Sequence, residues 1–376
     1  MRLPNPRPDG RDGRDGPDRP DGPDRPADPP RRRWLAAGLL AATALHPAQA
    51  RAAVGRVWRV GPGLALTRVA DALHQAGDGD TVQILPGTYP GDVAVIGQRR
   101  LTIIGLGQRP LLRADGRHAE GKAIWVVDGG DIHISNIAFS GARVPDGNGA
   151  GIRLQAGRLH LHRCAFADHQ MGLLTSDDAA CELHISDCDF SDAPANPGTL
   201  PHLLYVGRIG HFSLHGSRLW NGRDGHLVKS RARQSTLVGN LIDDGALGTA
   251  SYEIDLPNGG IAHLDGNTVV QRAGSQNPVM LAYGAEGAPW GESRLTLRRN
   301  TFVNHLPAGG WFVRVWADRL PPGTAAHSEH NQFLGPGSLL LGPLGRSTGD
   351  GRGPAPPDQP NQAGRSSGIT LRPWRR

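Results

Sequence analysis

The chain has 376 residues and a formal net charge of +6, but nine Arg against seven Asp in residues 1–33 and six Arg against two Asp in residues 344–376 account for all of it. The stretch between is neutral overall, which excludes the basic surface that nucleic-acid binding needs. Gly (53) and Pro (31) exceed a fifth of the chain, far above ordinary usage, and imply many turns.

The first 30 residues repeat Pro-Asp-Gly and Arg-Asp-Gly units that cannot build a core, so disorder is expected there. Arg31-Arg32-Arg33, an apolar run from Trp34 to Leu45 and Ala48-Gln49-Ala50 follow the order of a secretory signal peptide over 31–50, with the mature chain starting near Arg51. The apolar run is too short for a stable membrane anchor. The mature protein is therefore expected in a bacterial periplasm or outside the cell. Next, Leu66, Val69, Ala70 and Leu73 fall at helical spacing and predict a short amphipathic helix, ahead of Gly77-Asp78-Gly79-Asp80 and the strand TVQIL.

From there the chain repeats itself. IHISNIAF (132–139), LHLHRCAF (159–166), LHISDCDF (183–190), FSLHGSRL (212–219), TLVGNLI (236–242), HLDGNTV (263–269), LTLRRNTF (295–302) and HSEHNQF (327–333) share a strand that ends in a small polar residue followed by an apolar one. Recurrence every ~23–33 residues lies in the solenoid range. A second strand set runs between them: AIWVV, GIRLQ, PHLLYVGR, GHLVKSRA, SYEIDLPN, NPVMLAYG and GWFVRVW. Aligned on their last apolar residue, the repeats stack Cys164, Cys188, Ser217, Asn240, Asn267, Asn300 and Asn331 in one column. Such groups can satisfy turn amides of the neighbouring coil. The pattern predicts an all-β fold, a single-stranded right-handed parallel β-helix (solenoid) over 54–343, with the short N-terminal helix capping its first coil. After Leu341 the composition turns to Gly, Pro, Ser and Arg, so 344–376 is expected to be a disordered tail. Cys164 and Cys188 fall one coil apart, where parallel stacked side chains disfavour the disulfide torsion, so buried free thiols are expected.

The stretch ALTRVADALHQAGDGDTVQILPGTY resembles the opening segment of pectin-lyase-like right-handed parallel β-helix repeat proteins, and the resemblance extends over residues 60–343. It implies the fold and leaves the substrate open.

Alternation along the strands gives a candidate site. With Leu204, Val228 and Ile254 inward, Tyr205, Lys229 and Asp255 form an outward column, continued by Ala282 and Arg314; Leu227, Arg231 and Glu253 share the outward side. Lys229 is one of only two lysines, with Lys122, among 41 basic residues, which points to a use for its titratable amine. The bland alternative is an exposed cross-strand ion pair worth under ~1 kcal/mol, whose loss leaves melting unchanged. Elimination across a uronic acid needs a base beside the carboxylate and a cation to neutralise it. Lys229 suits the base, Arg231 or Arg314 the neutraliser and Tyr205 the proton donor, with Asp255 tuning Lys229. His202 and His226, three residues before Tyr205 and Lys229, are expected substrate contacts together with Glu253 and Arg314 if the strand bends at its start. Val228-Lys229-Ser230 resembles the base-bearing coil of the chondroitinase B and alginate lyase family. That family places an Arg on the following coil, where this chain has SYEIDLPNGG. No cofactor is required by these groups; the ion they would suit is Ca2+, held by Glu253, Asp255 and Asn258.

Asp177-Asp178 and Asp187 fit turns better than a glycosidase carboxylate pair. His133, His160, His162, His184, His211 and His215 fit polar outward positions, with His160 and His162 on one face. The reading is an exported polysaccharide lyase acting on an acidic glycan as a monomer. A non-catalytic glycan-binding surface protein using Trp311 and Trp316, and a sugar epimerase, are the alternatives.

Overall fold

The computed structural model describes residues 55–195 and 200–358. The expected signal peptide and cleavage site, the Arg/Asp-rich stretch before them and the tail beyond 358 lie outside the described residues. Every strand pairing between coils is parallel. One sheet of eleven strands, from Thr88–Pro90 to Gly351–Gly353, forms one face of the solenoid. Two further strand series form the other faces, one from Ala94–Ile96 to Ser338–Leu340 and one from Val57–Val60 to Arg346–Thr348. We refer to the Ala94–Ile96 series as the first face, the Val57–Val60 series as the second and the eleven-stranded sheet as the third. Strands Ala123–Ser135 and Ala150–His162 run through the first and second faces without a break, which joins the two series into one sheet.

Alternation sends apolar residues inward from each face, and the parallel register then stacks like on like. On the third face Phe139, Phe166, Phe190, Leu219, Ile242, Val269, Phe302 and Phe333 are successive register partners, all buried. Phe139, Phe166 and Phe190 stack in parallel at ring separations of 5.1 and 4.7 Å.

The polar column is the ladder expected from the repeats. Each member accepts the backbone N–H of the member one coil before: Ser217 Oγ from Cys188, Asn240 Oδ1 from Ser217, Asn267 Oδ1 from Asn240 and Asn300 Oδ1 from Asn267, at 2.9–3.1 Å. Asn331 continues it, and Asp350 closes it by accepting from the Asn331 amide at 2.8 Å. The residue just before each member turns with positive φ, for example Gly239 (65°) and Gly266 (65°). Glycine adopts that region without a Cβ penalty, while Asn136 (56°) and Asp187 (52°) hold the equivalent turns elsewhere. Cys164, Cys181 and Cys188 are buried free thiols, the first and last inside the ladder.

Helix Val69–Gln75 buries Val69, Ala72 and Leu73 against the first coil, and the Asp92 carboxylate accepts from the Val69 and Ala70 amides at 2.6 and 2.8 Å. Strand Val57–Val60 opens the solenoid ahead of the helix, inside the expected span from 54, and pairs with Asp80–Ile84. One boundary differs from that read in the sequence. At the other end, strands Arg346–Thr348 and Gly351–Gly353 lie inside the stretch assigned to a disordered tail from 344. These last rungs have only polar or glycine residues, so composition carries no sign of them.

Candidate functional site

On the first face the column is in the expected register: Tyr205 pairs with Lys229, Lys229 with Asp255, Asp255 with Ala282 and Ala282 with Arg314. What the sequence missed is that the column is roofed over. Lys229 is only 8% exposed and Asp255 1%. The turn after Tyr283 folds back across the strands and brings Glu286 onto the two cations. Lys229 Nζ donates to Glu286 Oε1 at 2.7 Å, and Arg231 Nη2 meets Oε2 at 2.6 Å. Burial works against the Glu286 charge, but Lys229 and then Arg231 hold its carboxyl below the ordinary value. The turn is pinned by Asn258 Nδ2 to the Gly287 carbonyl (2.6 Å), Arg208 Nη1 to the Ala288 carbonyl (2.9 Å) and Trp290 Nε1 to the Arg231 carbonyl (2.9 Å). The Glu286 side chain itself remains 42% exposed, so it can swing out while the turn stays in place.

Beneath this lid, Asp255 Oδ2 lies 3.6 Å from Lys229 Nζ and 3.2 Å from His226 Nδ1. Burial pushes the Asp255 carboxyl up, yet His226, Lys229 and Arg231 together pull it below the ordinary carboxylate value. His226 therefore joins the site, as the bend before strand Val228–Ser230 allows. His202 supports it from below: its Nδ1 accepts the His226 backbone N–H at 2.8 Å, and the rings are 4.7 Å apart. Burial, then the charges of His226, Lys229 and Arg231, holds His202 well below the usual imidazole value, so it stands there neutral. Tyr205 Oη accepts from Arg231 Nε at 3.1 Å.

The remaining expected members are elsewhere. Leu227, expected beside Lys229 in solvent, is buried, because the strand starts only at Val228 and strict alternation does not reach it. Glu253 likewise precedes its strand, Ile254–Leu256, and turns away from Lys229. It lies fully buried beside Asp244, accepting from Gln271 Nε2 (3.3 Å) and Ser275 Oγ (3.4 Å). The oxygens proposed for Ca2+ are thereby separated: Glu253 faces Asp244, Asp255 faces Lys229 and His226, and Asn258 Oδ1 accepts from Arg231 Nη1 at 2.8 Å. Arg314 lies two rungs beyond Asp255, about 10 Å at the usual strand spacing, flanked by Trp311 and Trp316 at 5.1 and 4.5 Å. Asp177 and Asp178 bond to turn amides, as expected for turn residues. Arg153 was missed, although the same alternation places it in the column two rungs before Tyr205. Its Nε is buried without a hydrogen-bond partner, and burial lowers its basicity.

The Glu253–Asp244 pair gives a stability prediction. Burial pushes Asp244 up to about 6 and Glu253 well above its ordinary value, Asp244 adding to the latter. Groups raised in the folded state stabilise it at low pH and lose that contribution as pH rises through the folded value. Glu253→Gln, with no charge to bury, is expected to melt higher than the parent above pH 6 and to lose this advantage near pH ~4. Melting curves at the two pH values check this.

Comparison with known proteins gives no matching family model and no matching curated protein. The pectin-lyase-like assignment thus stays a resemblance. Solved structures that align include ORF18 of Geobacillus virus E2, at 12% identity and a TM-score of 0.44 over 74% of this chain and 53% of that one. This chain therefore spans about half the length of that protein. The A-module of the Azotobacter vinelandii mannuronan C-5 epimerase AlgE6 aligns at 14% identity and a TM-score of 0.33, over 77% of this chain and 93% of its own. Tailspike protein gp49 of Acinetobacter baumannii bacteriophage Fri1, a capsular polysaccharide depolymerase, aligns at 12% identity and a TM-score of 0.32, over 77% and 62%.

Proposed function

We propose that this is an exported carbohydrate-active enzyme that binds a uronic-acid-containing polysaccharide at Lys229 and Arg231 and cleaves it by β-elimination. The observation that carries the reading is the Glu286 carboxylate held between Lys229 Nζ and Arg231 Nη2. A two-cation clamp already closed on a carboxylate is a receptor for the carboxylate of a uronate, and Glu286 is the group that a substrate displaces. In this arrangement Lys229, flanked by Asp255 and Glu286, fits the neutralising role better than the base role that its rarity suggested. The base is His226, whose Nδ1 faces Asp255 so that the buried carboxylate stabilises the imidazolium formed. His226 takes the proton next to the uronate carboxylate, the bond from the β-carbon to the leaving sugar oxygen breaks, and Tyr205 gives that oxygen a proton. Returning a proton to the opposite face instead, with no bond broken, would make the same groups an epimerase. The non-catalytic alternative rests on Trp311 and Trp316, but Arg314 already stacks between their faces.

The test is to incubate the purified mature chain with a panel of polyuronates and sulfated or plain uronate-containing glycans and to follow ultraviolet absorbance from an unsaturated uronate. Glu286→Ala sharpens it. Removing a competing, half-exposed carboxylate worth about 1 kcal/mol is expected to tighten acidic oligosaccharide binding by roughly fivefold. Weaker binding in Glu286→Ala would sink the displaced-carboxylate reading.

A further inference from the structure

A second cluster, on the outer side of the second face and independent of the Lys229 site, has no part in the reading above. His133, His160 and His184 are register partners on successive coils, with rings stacked 4.2 and 4.8 Å apart. Asp131, two residues before His133 on the same side of its strand, turns one oxygen toward the first two rings. Its Oδ1 is 3.3 Å from His133 Nε2 and 3.2 Å from His160 Nε2. This oxygen is shielded from solvent and has no hydrogen-bond partner, and the nearest cation, Arg158, stands 3.7 Å from the other carboxylate oxygen. The shielded oxygen and the two ring nitrogens thus converge on one spot, where a cation that all three can ligate would be held.

We infer that Asp131, His133 and His160 form a binding site for a divalent transition-metal ion of the zinc class. Two imidazole nitrogens and one carboxylate oxygen suit zinc, cobalt or nickel, whereas calcium and magnesium require oxygens. Donors about 2.0–2.2 Å from one tetrahedral or octahedral metal stand roughly 3.0–3.5 Å apart, and the two oxygen–nitrogen separations here, 3.2 and 3.3 Å, are already in that range. All three donor atoms lie within 4.8 Å of one another, so a small rotation of the rings completes the set. The parallel register fixes the two imidazoles one coil apart, and the metal would therefore tie adjacent coils together. The Asp131, His133 and His160 side chains are 37%, 53% and 32% exposed, which leaves the remaining coordination positions open to water or a ligand. The neighbouring group Glu182, His184 and His211 has the same residue types. There, however, Arg158 donates to both Glu182 oxygens, at 2.9 and 3.2 Å, and holds that carboxylate down to about 2. A metal would have to break that bidentate pair, so the Asp131 cluster is the site.

The test is calorimetric titration of Zn2+ into the untagged, chelator-treated full chain, with Co2+ absorption as a second readout. One equivalent is expected to bind, the Co2+ spectrum is expected to show nitrogen and oxygen ligation, and melting is expected to rise with metal. His133→Ala and His160→Ala are each expected to weaken binding by at least the ~10–100-fold that losing even an outer partner of a ligand costs. Asp131→Asn should abolish the metal-dependent rise in melting temperature while the metal-free protein keeps its fold by circular dichroism. His184→Ala should leave the stoichiometry and affinity unchanged. Absence of saturable binding, full binding in the His133→Ala/His160→Ala double variant, or loss of binding in His184→Ala alone would each overturn the assignment.

Discussion

Lys229→Met is expected to abolish turnover on an acidic glycan and, in addition, to destabilise the protein by about 3 kcal/mol. Solvent exposure would have predicted a silent change in stability. The observed burial of Lys229 and Asp255, at 8% and 1% exposure, reverses that expectation. Deleting the amine leaves the Asp255 carboxylate buried with only the His226 contact at 3.2 Å and the more distant Arg231 charge. Removing one partner of a buried pair is costly because the other charge remains. The two effects separate in a double variant. Lys229→Met/Asp255→Asn removes both charges, so stability should return toward the parent while activity stays lost, by ~10²-fold or more. Lys229→Arg should retain stability and part of the binding, since the clamp on a carboxylate needs charge more than it needs an amine. Measurements belong below the melting transition of the weakest variant, with unfolding followed separately. If the double variant recovers both stability and full activity on an identified substrate, the cluster is a structural ion network and the elimination reading falls.

The sequence is a good guide to this molecule wherever its period does the specifying. Repeats spaced by one coil identify the ladder from Cys164 to Asn331, and period-two alternation identifies the register of Tyr205, Lys229, Asp255, Ala282 and Arg314. Both signals come from many coils at once, so local irregularity averages out. Alternation fails at Leu227 and Glu253 because the strands there are three residues long, Val228–Ser230 and Ile254–Leu256, and the residues just before them follow turn geometry. The decisive feature, Glu286, was beyond reach. It belongs to a turn 57 residues after Lys229, and no repeat or alternation tells which way a turn folds. Arg153 could have been found by extending the Tyr205 column two strands back along GIRLQ. Asp131 and the imidazole column were visible only as scattered histidines, because convergence of Asp131 on two rings depends on side-chain direction.

The ladder carries the second large effect. Asn267→Leu is expected to cost at least ~3 kcal/mol although it replaces one side chain with another of similar size. Asn267 Oδ1 accepts from both the amide and the side-chain nitrogen of Asn240, at 3.0 and 2.8 Å, and its Nδ2 donates to the Leu237 carbonyl at 2.9 Å and to Asn300 Oδ1 at 2.8 Å. A leucine strands two donors and takes a donor from two acceptors, all in the buried interior, and each orphan costs ~1–3 kcal/mol without strict additivity. Asn267→Ser should cost less, since Ser217 already shows that a hydroxyl at a ladder position accepts the preceding amide at 3.1 Å. Solenoid coils are stabilised by their neighbours and open locally, so a single global midpoint will understate the damage. The informative measurement is amide hydrogen exchange at Asn240 and Ser217 on one side and at Asn300 and Asn331 on the other. Protection should fall most at Asn240, whose amide loses its acceptor, and less at Asn300 and Asn331, whose acceptors survive. The far rungs Thr88–Pro90 and Leu111–Arg113 should keep parental protection. Equal protection at Asn240 in Asn267→Leu and in the parent would show that the ladder contributes register alone, leaving coil-to-coil cohesion to the stacked apolar column from Phe139 to Phe333.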